Sequence, residues 1–242
     1  MEVHAHSHTA RKKWTHYFWE FLMLFLAVFC GFLAENQREH MVEHQREKQF
    51  MLSLTEDLKT DILQLEKYKK WRKETNADFD SLIILLSTEN PESNAYDIYK
   101  IANRSFLRTG LPDISERTIQ QLKNSGGLRL IRQEEVSGQI NKHYLEVNRM
   151  KSNYESEIIA RAKLLEVRGE VLYASQLFRI KDTTMNAGSF KLISKDPLMI
   201  NRLTNSILAA VQTNLRIINS IDVIIVSSLS LKEVIEKEYH LK

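Results

Sequence analysis

One uninterrupted apolar segment, Tyr17 to Ala34 (YFWEFLMLFLAVFCGFLA), constrains this chain more than any other feature. About 18 mostly apolar residues reach the lower limit for crossing a bilayer core as a helix. Only Glu20 breaks its apolar surface, whereas a core helix of a soluble protein keeps a polar face. A cleaved signal peptide needs small residues at −1 and −3; cleavage after Ala34 or Gly31 puts Phe32 or Phe29 at −3. Cys30 follows Val28-Phe29, a poor lipoprotein context. The segment therefore reads as a permanent anchor, residues 11–35, in contact with the lipid bilayer.

The flanks support that reading. Trp14, Tyr17 and Trp19 gather at one end, where amphipathic rings favour the headgroup layer. Glu20 lies one turn inside that end and is expected to reach back to Lys13 or His16; the sharper alternative makes it a contact between anchors or part of an ion path. Arg11-Lys12-Lys13 is denser and nearer the span than Arg38, Arg46 and Lys48 on the far side. That asymmetry puts the N-terminus in the cytoplasm and the body across an inner membrane, in the periplasm of a bacterium. The single cysteine lies in the span, so the body has no disulfide framework.

About 208 residues follow the span, enough for one domain with a full core. A net charge of +3, with both signs mixed, gives no basic patch for nucleic acid. Only 7 glycines and 3 prolines interrupt a chain rich in helix formers, so the expected class is all-α. The N-terminal transmembrane helix should continue into an elongated antiparallel helical bundle over residues 36–242, preceded by a disordered His-rich tail, residues 1–10.

Glu35 to Lys73 contains no Gly or Pro. Leu54, Leu58, Ile62, Leu65, Tyr68, Arg72, Thr75, Phe79, Ile83 and Leu86 form one face with two polar interruptions. Asn90-Pro91 should end this helix; Ala34 to Ser87 would span roughly 80 Å. Shorter helices are predicted over Ala95–Leu107 and after a Ser115 N-cap, stopping at Ser125-Gly126-Gly127. A long helix follows from Gln133 to Phe178, with Val136, Ile140, Tyr144, Val147, Met150, Tyr154, Ile158, Leu165 and Leu172 as its apolar stripe. Residues 180–195 read as a loop. Asp196-Pro197 is a start signal for a last helix to about Tyr239. Its apolar run Ile207–Leu231 contains Asn214, Arg216, Asn219 and Asp222, which argues against a second span and for the buried helix of a bundle. Asp222 then needs a cation, with Arg161 or Arg168 as candidates.

Few residues suggest chemistry. His4, His6 and His8 alternate in the tail and could bind Zn, Ni or Cu weakly; a solvated tail is the plainer reading. His40 and His44 stand four apart on one helix face, and with Glu43 spell H-x-x-E-H, a zinc-protease pattern read backwards. Its context is a charged repeat with little apolar wall, which favours a plain surface helix. Ser125-Gly126-Gly127 could present N–H groups to an anion, but a helix C-cap accounts for it. His143-Tyr144 could be an acid/base pair, though neighbours on a helix point different ways. The sequence contains no P-loop, dinucleotide fingerprint, nucleophile elbow or C-x-x-C.

Three stretches, FLMLFLAVFCGFLAENQREH, SLTEDLKTDILQL and TIQQLKNSGGLRLI, together resemble a group of uncharacterised single-span membrane proteins of Bacteroidota, a domain-of-unknown-function family. The resemblance covers most of residues 11–150. It implies an inner-membrane anchor and a helical extracytoplasmic domain, with no known activity or cofactor. The expected function is non-enzymatic: an interaction or scaffolding module, self-associating as a homo-oligomer or joining other membrane proteins, with no cofactor. The alternatives are a membrane-anchored, sensor-like ligand-binding bundle, a channel or transport accessory using Glu20, and a metal-dependent hydrolase.

Overall fold

The computed structural model describes residues 14–181 and 186–241. Among these the regular structure is helical: α1 (Trp14–Leu86), α2 (Ala95–Ser105), α3 (Arg117–Asn124), α4 (Glu134–Val171), α5 (Ala174–Arg179) and α6 (Pro197–Glu238), with three short 3₁₀ turns. The only extended pairing among them is an isolated bridge between Leu172 and Leu192. The predicted tail, with His4, His6 and His8, and the predicted helix start near Arg11 lie outside the described residues.

The chain divides into two compact units between Gln49 and Phe50. In the first, α1 carries an 18-residue window long and apolar enough to cross a membrane, and none of that window is buried. Trp14, Phe21, Leu24 and Val28 are all more than 60 % exposed. Phe21, Phe25 and Phe29 stack on one another up one face.

The second unit is built on the remainder of α1 with α4 and α6. Across the α4–α6 interface His143 meets Ser227, Asn153 meets Ser220 and Glu170 meets Arg202, so these helices are antiparallel. α1 and α4 run in the same direction: Leu58 clusters with Ile140, Arg72 meets Glu157 and Phe79 clusters with Leu164. The antiparallel expectation thus holds for α6 against both partners. Residues 87–133, carrying α2 and α3, bring the chain back so that α4 can start beside α1.

The core has three layers. Met51, Leu54 and Leu58 meet Ile119, Leu122, Ile140 and Leu231 at one end; Leu65 meets Val147, Met150, Ile217 and Ile221 in the middle; Phe79, Leu82 and Leu86 meet Ile98, Tyr99, Leu164 and Leu203 at the other. Each such side chain taken fully out of water contributes about 1.5–3 kcal/mol. Ile207, Ile217, Ile221, Ile224 and Leu231 are buried along α6, which is the core helix its polar interruptions indicated. Its start follows the sequence signal: Asp196 accepts the Leu198 N–H at 2.9 Å, and Pro197 opens the helix.

Several boundaries differ from expectation. α1 ends at Leu86, within one residue of the expected Ser87 and ahead of Asn90-Pro91; the later boundaries depart further. The long α4 stops at Val171, because Leu172 pairs with Leu192 and the Tyr173 N–H goes to the Tyr99 hydroxyl at 2.7 Å. These long-range bonds satisfy backbone groups that an unbroken helix to Phe178 would have used. The α4 stripe also slips. Ile158 is 43 % exposed, while Glu157 and Arg161 are buried in its place.

The start of α3 is tied to α1 by bonds on either side of its N-cap, not by a capping side chain. Ser115 does not cap it, and its N-cap, Glu116, makes no side-chain cap bond. Instead Asp61 of α1 accepts the Ser115 N–H at 2.9 Å and Asp57 accepts the Thr118 hydroxyl at 2.5 Å. At the other end Gly126 adopts φ +68, so the Ser125-Gly126-Gly127 turn is a left-handed stop.

Burial lifts the Asp61 carboxyl from its ordinary 3.8 to about 6, helped by nearby Asp57 and Asp113 and opposed by the Ser115 N–H. The folded state holds this proton more tightly than the unfolded chain, so its contribution is present at low pH and is lost as pH rises from 3.8 through 6. Asp61→Asn keeps the acceptor and removes the charge. Denaturant unfolding should show a gain of about 1–2 kcal/mol at pH 7 and little change at pH 4; a loss at pH 7 contradicts this account. His143 behaves oppositely. Burial lowers it from 6.5 to about 4, so its contribution is lost as pH falls through that range. Nitrogen NMR should find the His143 ring neutral at pH 5.5; a protonated ring at that pH contradicts this account.

Candidate functional site

The fully buried side chain of Arg72 organises the second unit. It lies on the apolar face of α1, three residues before Thr75, and both are buried. A guanidinium there needs a carboxylate and further acceptors. Glu157 of α4 supplies the carboxylate in a forked pair: Arg72 Nη1 donates to Oε1 and Nη2 to Oε2, each at 2.9 Å. Nη1 also donates to Asn214 Oδ1 of α6 at 2.6 Å. Nη2 also donates to the Tyr68 hydroxyl at 2.7 Å and to the Gly110 carbonyl at 2.5 Å. The Asn214 amide returns two bonds to α1, to the Arg72 carbonyl at 3.0 Å and Asn76 Oδ1 at 2.7 Å.

Arg161 adds a second buried cation. Its Nη2 donates to Glu157 Oε1 at 3.3 Å, and it donates to the carbonyls of Ser105, the last residue of α2, and Arg108 just beyond it. Its guanidinium carbon lies 4.6 Å from the centroid of the Phe79 ring. Burial pulls the Arg161 guanidinium below its usual range, and Glu157 opposes that shift. Two guanidiniums thus share one carboxylate, and three backbone carbonyls take up the excess positive charge. The network joins α1, α4, α6 and the α2–α3 loop at one level.

A cleft of about 370 Å³ opens beside this network. Tyr68 and Trp71 form its wall on α1, and Leu111 and Pro112 its wall on the loop. Their rings stack with centroids 5.0 Å apart. Arg108 lies over Trp71 at 5.0 Å and pairs with Glu74 at 3.1 Å. Burial raises the Tyr68 hydroxyl pKa, against the pull of Arg72. The phenol therefore remains a neutral hydrogen-bonding group.

The residues singled out by sequence fall elsewhere. His40 and His44 are more than half exposed, and each faces a glutamate one turn on, Glu43 at 3.6 Å and Glu47 at 3.4 Å. Among the described residues no group of three or more His, Cys, Asp or Glu side chains is placed to hold a metal. Glu20 pairs with His16 at 2.9 Å, the nearer of the predicted directions. Asp222 is not answered by Arg161 or Arg168. It is about half exposed and pairs with Lys69, because α6 turns that position outward toward α1. His143 and Tyr144 both face the core, with rings 5.1 Å apart, and His143 Nδ1 bonds Ser227 at 2.8 Å. That places the imidazole itself in packing. No family model, curated protein or solved structure matches the chain.

The unequal charges make a differential prediction. Removing Glu157 strands two buried guanidiniums, whereas removing Arg161 leaves the forked Arg72 pair intact. Chemical denaturation should show Glu157→Ala losing about 3–5 kcal/mol and Arg161→Ala about 1–3 kcal/mol. Equal losses would contradict the central place given to Glu157.

Proposed function

We propose that the protein is a non-enzymatic, membrane-anchored interaction module whose helical bundle serves as a self-associating scaffold. The supporting observation is the unburied apolar window of α1. A contiguous apolar surface of that extent is not maintained against water by a soluble monomer, and a bilayer accommodates it. Glu20 does not oppose this: paired with His16 beside Trp19 at the aromatic end, it suits the headgroup boundary better than an ion path. The basic residues before the span support an N-terminus in the cytoplasm and a body in the periplasm, the location that the Bacteroidota resemblance also implies.

The bundle supports the scaffold reading in two ways. Its buried charges are used in holding helices together. Its α6 helix also carries Leu208, Leu215, Val223, Val226 and Leu229 on one exposed face, each more than 40 % accessible. Such a face suits association with a second copy or another helical protein.

Expression in a Gram-negative host tests the reading. The chain should resist alkaline extraction from membranes, and external protease should reach the body only after the outer membrane is opened. Cross-linking in native membranes should yield a discrete oligomer. Release by alkali overturns the anchor; a strictly monomeric species without co-purifying partner overturns the scaffold.

A further inference from the structure

The Tyr68–Trp71 cleft has a feature that structural packing does not require. Its rim carries two exposed opposite charges, Lys67 on the α1 side and Asp113 on the loop side. Neither is in an ion pair among the described residues, so both rim charges stay available to a ligand. Between them the lining is aromatic and aliphatic, from Tyr68, Trp71, Leu111 and Pro112. At about 370 Å³ the cleft is near the lower end of small-ligand sites, so it suits a compact molecule.

Its walls are also fixed in advance. Arg72 Nη2 bonds both the Tyr68 hydroxyl, on one wall, and the Gly110 carbonyl, next to Leu111 on the other. Asp61 holds Ser115 two residues beyond Asp113. The segment Leu111–Asp113 is therefore bracketed by two anchors, one on each side. Arg108 and Tyr68 hold the Trp71 ring by stacking. A ligand entering such a site orders few groups on binding, which lowers the cost of association.

We propose that this cleft binds a free α-amino acid with an apolar or aromatic side chain, its carboxylate at Lys67 and its ammonium at Asp113. The paired rim charges complement a zwitterion, the apolar lining takes the side chain, and the volume limits the ligand to one residue. The proposal rests on neither membrane anchoring nor self-association, so it and the scaffold reading fail separately.

Trp71 is the one tryptophan outside the N-terminal segment, the others being Trp14 and Trp19. In the full chain with Trp14→Phe and Trp19→Phe, held in detergent micelles, Trp71 emission reports the cleft directly. L-phenylalanine, L-leucine and L-methionine should give saturable changes. Phenylpropionate and phenethylamine, each lacking one charge of phenylalanine, should bind several-fold more weakly. Lys67→Glu and Asp113→Lys should each weaken L-phenylalanine roughly tenfold, replacing attraction with repulsion, and the double variant should recover most of the loss by binding the zwitterion reversed. No saturable change with any of the three amino acids overturns the proposal. So does phenylpropionate binding as tightly as L-phenylalanine, which would make the cleft a site for apolar anions. Failure of the double variant to recover affinity, when circular dichroism shows it folded, also overturns it.

Discussion

The forked pair between Arg72 and Glu157 fixes the arrangement of the second unit. Apolar layers above and below it tolerate sliding and rotation, since leucine and isoleucine pack acceptably in several registers. A guanidinium with five donors does not. Arg72 reaches a carboxylate on α4, an amide on α6, a phenol on its own helix and a carbonyl on the α2–α3 loop. Moving any one of these elements by a helical turn leaves a buried charge without its partner, at a cost of several kcal/mol. Whether the pair adds net stability over an apolar substitute is a separate matter. Its clear effect is on uniqueness: in this register both terminal nitrogens of Arg72 are satisfied by partners on separate elements, and only Nε has none.

The long connection between them lets α1 and α4 run in the same direction. A chain of three long helices with short connections would alternate up and down. Here residues 87–133 come between, and they supply the carbonyls of Ser105, Arg108 and Gly110 that take up the second positive charge of the network. The return segment is thus part of the polar layer. Asp57 and Asp61 secure its far end by binding the Thr118 hydroxyl and the Ser115 N–H from α1. The Asp61 bond comes with a carboxyl whose pKa is raised by burial, and the Ser115 N–H it accepts partly offsets that rise.

Much of this was legible in the sequence, and the limits have physical causes. The all-α class, the start of α6 at Asp196-Pro197 and the left-handed stop at Gly126 follow from local rules that held there, while the N-cap rule at Ser115 did not. The face of α1 was also legible, with Arg72 and Thr75 visible as interruptions in an otherwise apolar line. What periodicity lacks is any means to pair an interruption on one helix with one on another. On α4 the rule that apolar residues go inside selects Ile158 and rejects Glu157, yet Glu157 is buried and Ile158 half exposed. The early end of α4 was illegible for a related reason: Tyr99, more than seventy positions away, takes the Tyr173 N–H.

These misses share a form that bears on the cleft. Arg72 stood out as an interruption in an apolar face and Arg161 as a candidate partner for Asp222, and the fold pairs both instead with Glu157. Lys67, five residues before Arg72, has exposed-lysine character in the sequence, and the fold leaves it outside. The difference is one of phase: Arg72 lies with Leu65 and Phe79 on the buried face of α1, while Lys67 looks outward beside Tyr68 and Trp71. An Asp113–Lys67 contact across the cleft would close it as a structural ion pair. The two anchors of the loop, Gly110 on Arg72 and Ser115 on Asp61, instead hold Asp113 in place without that contact. The bonds that rigidify the bundle thereby keep an aromatic-walled opening between two unspent charges.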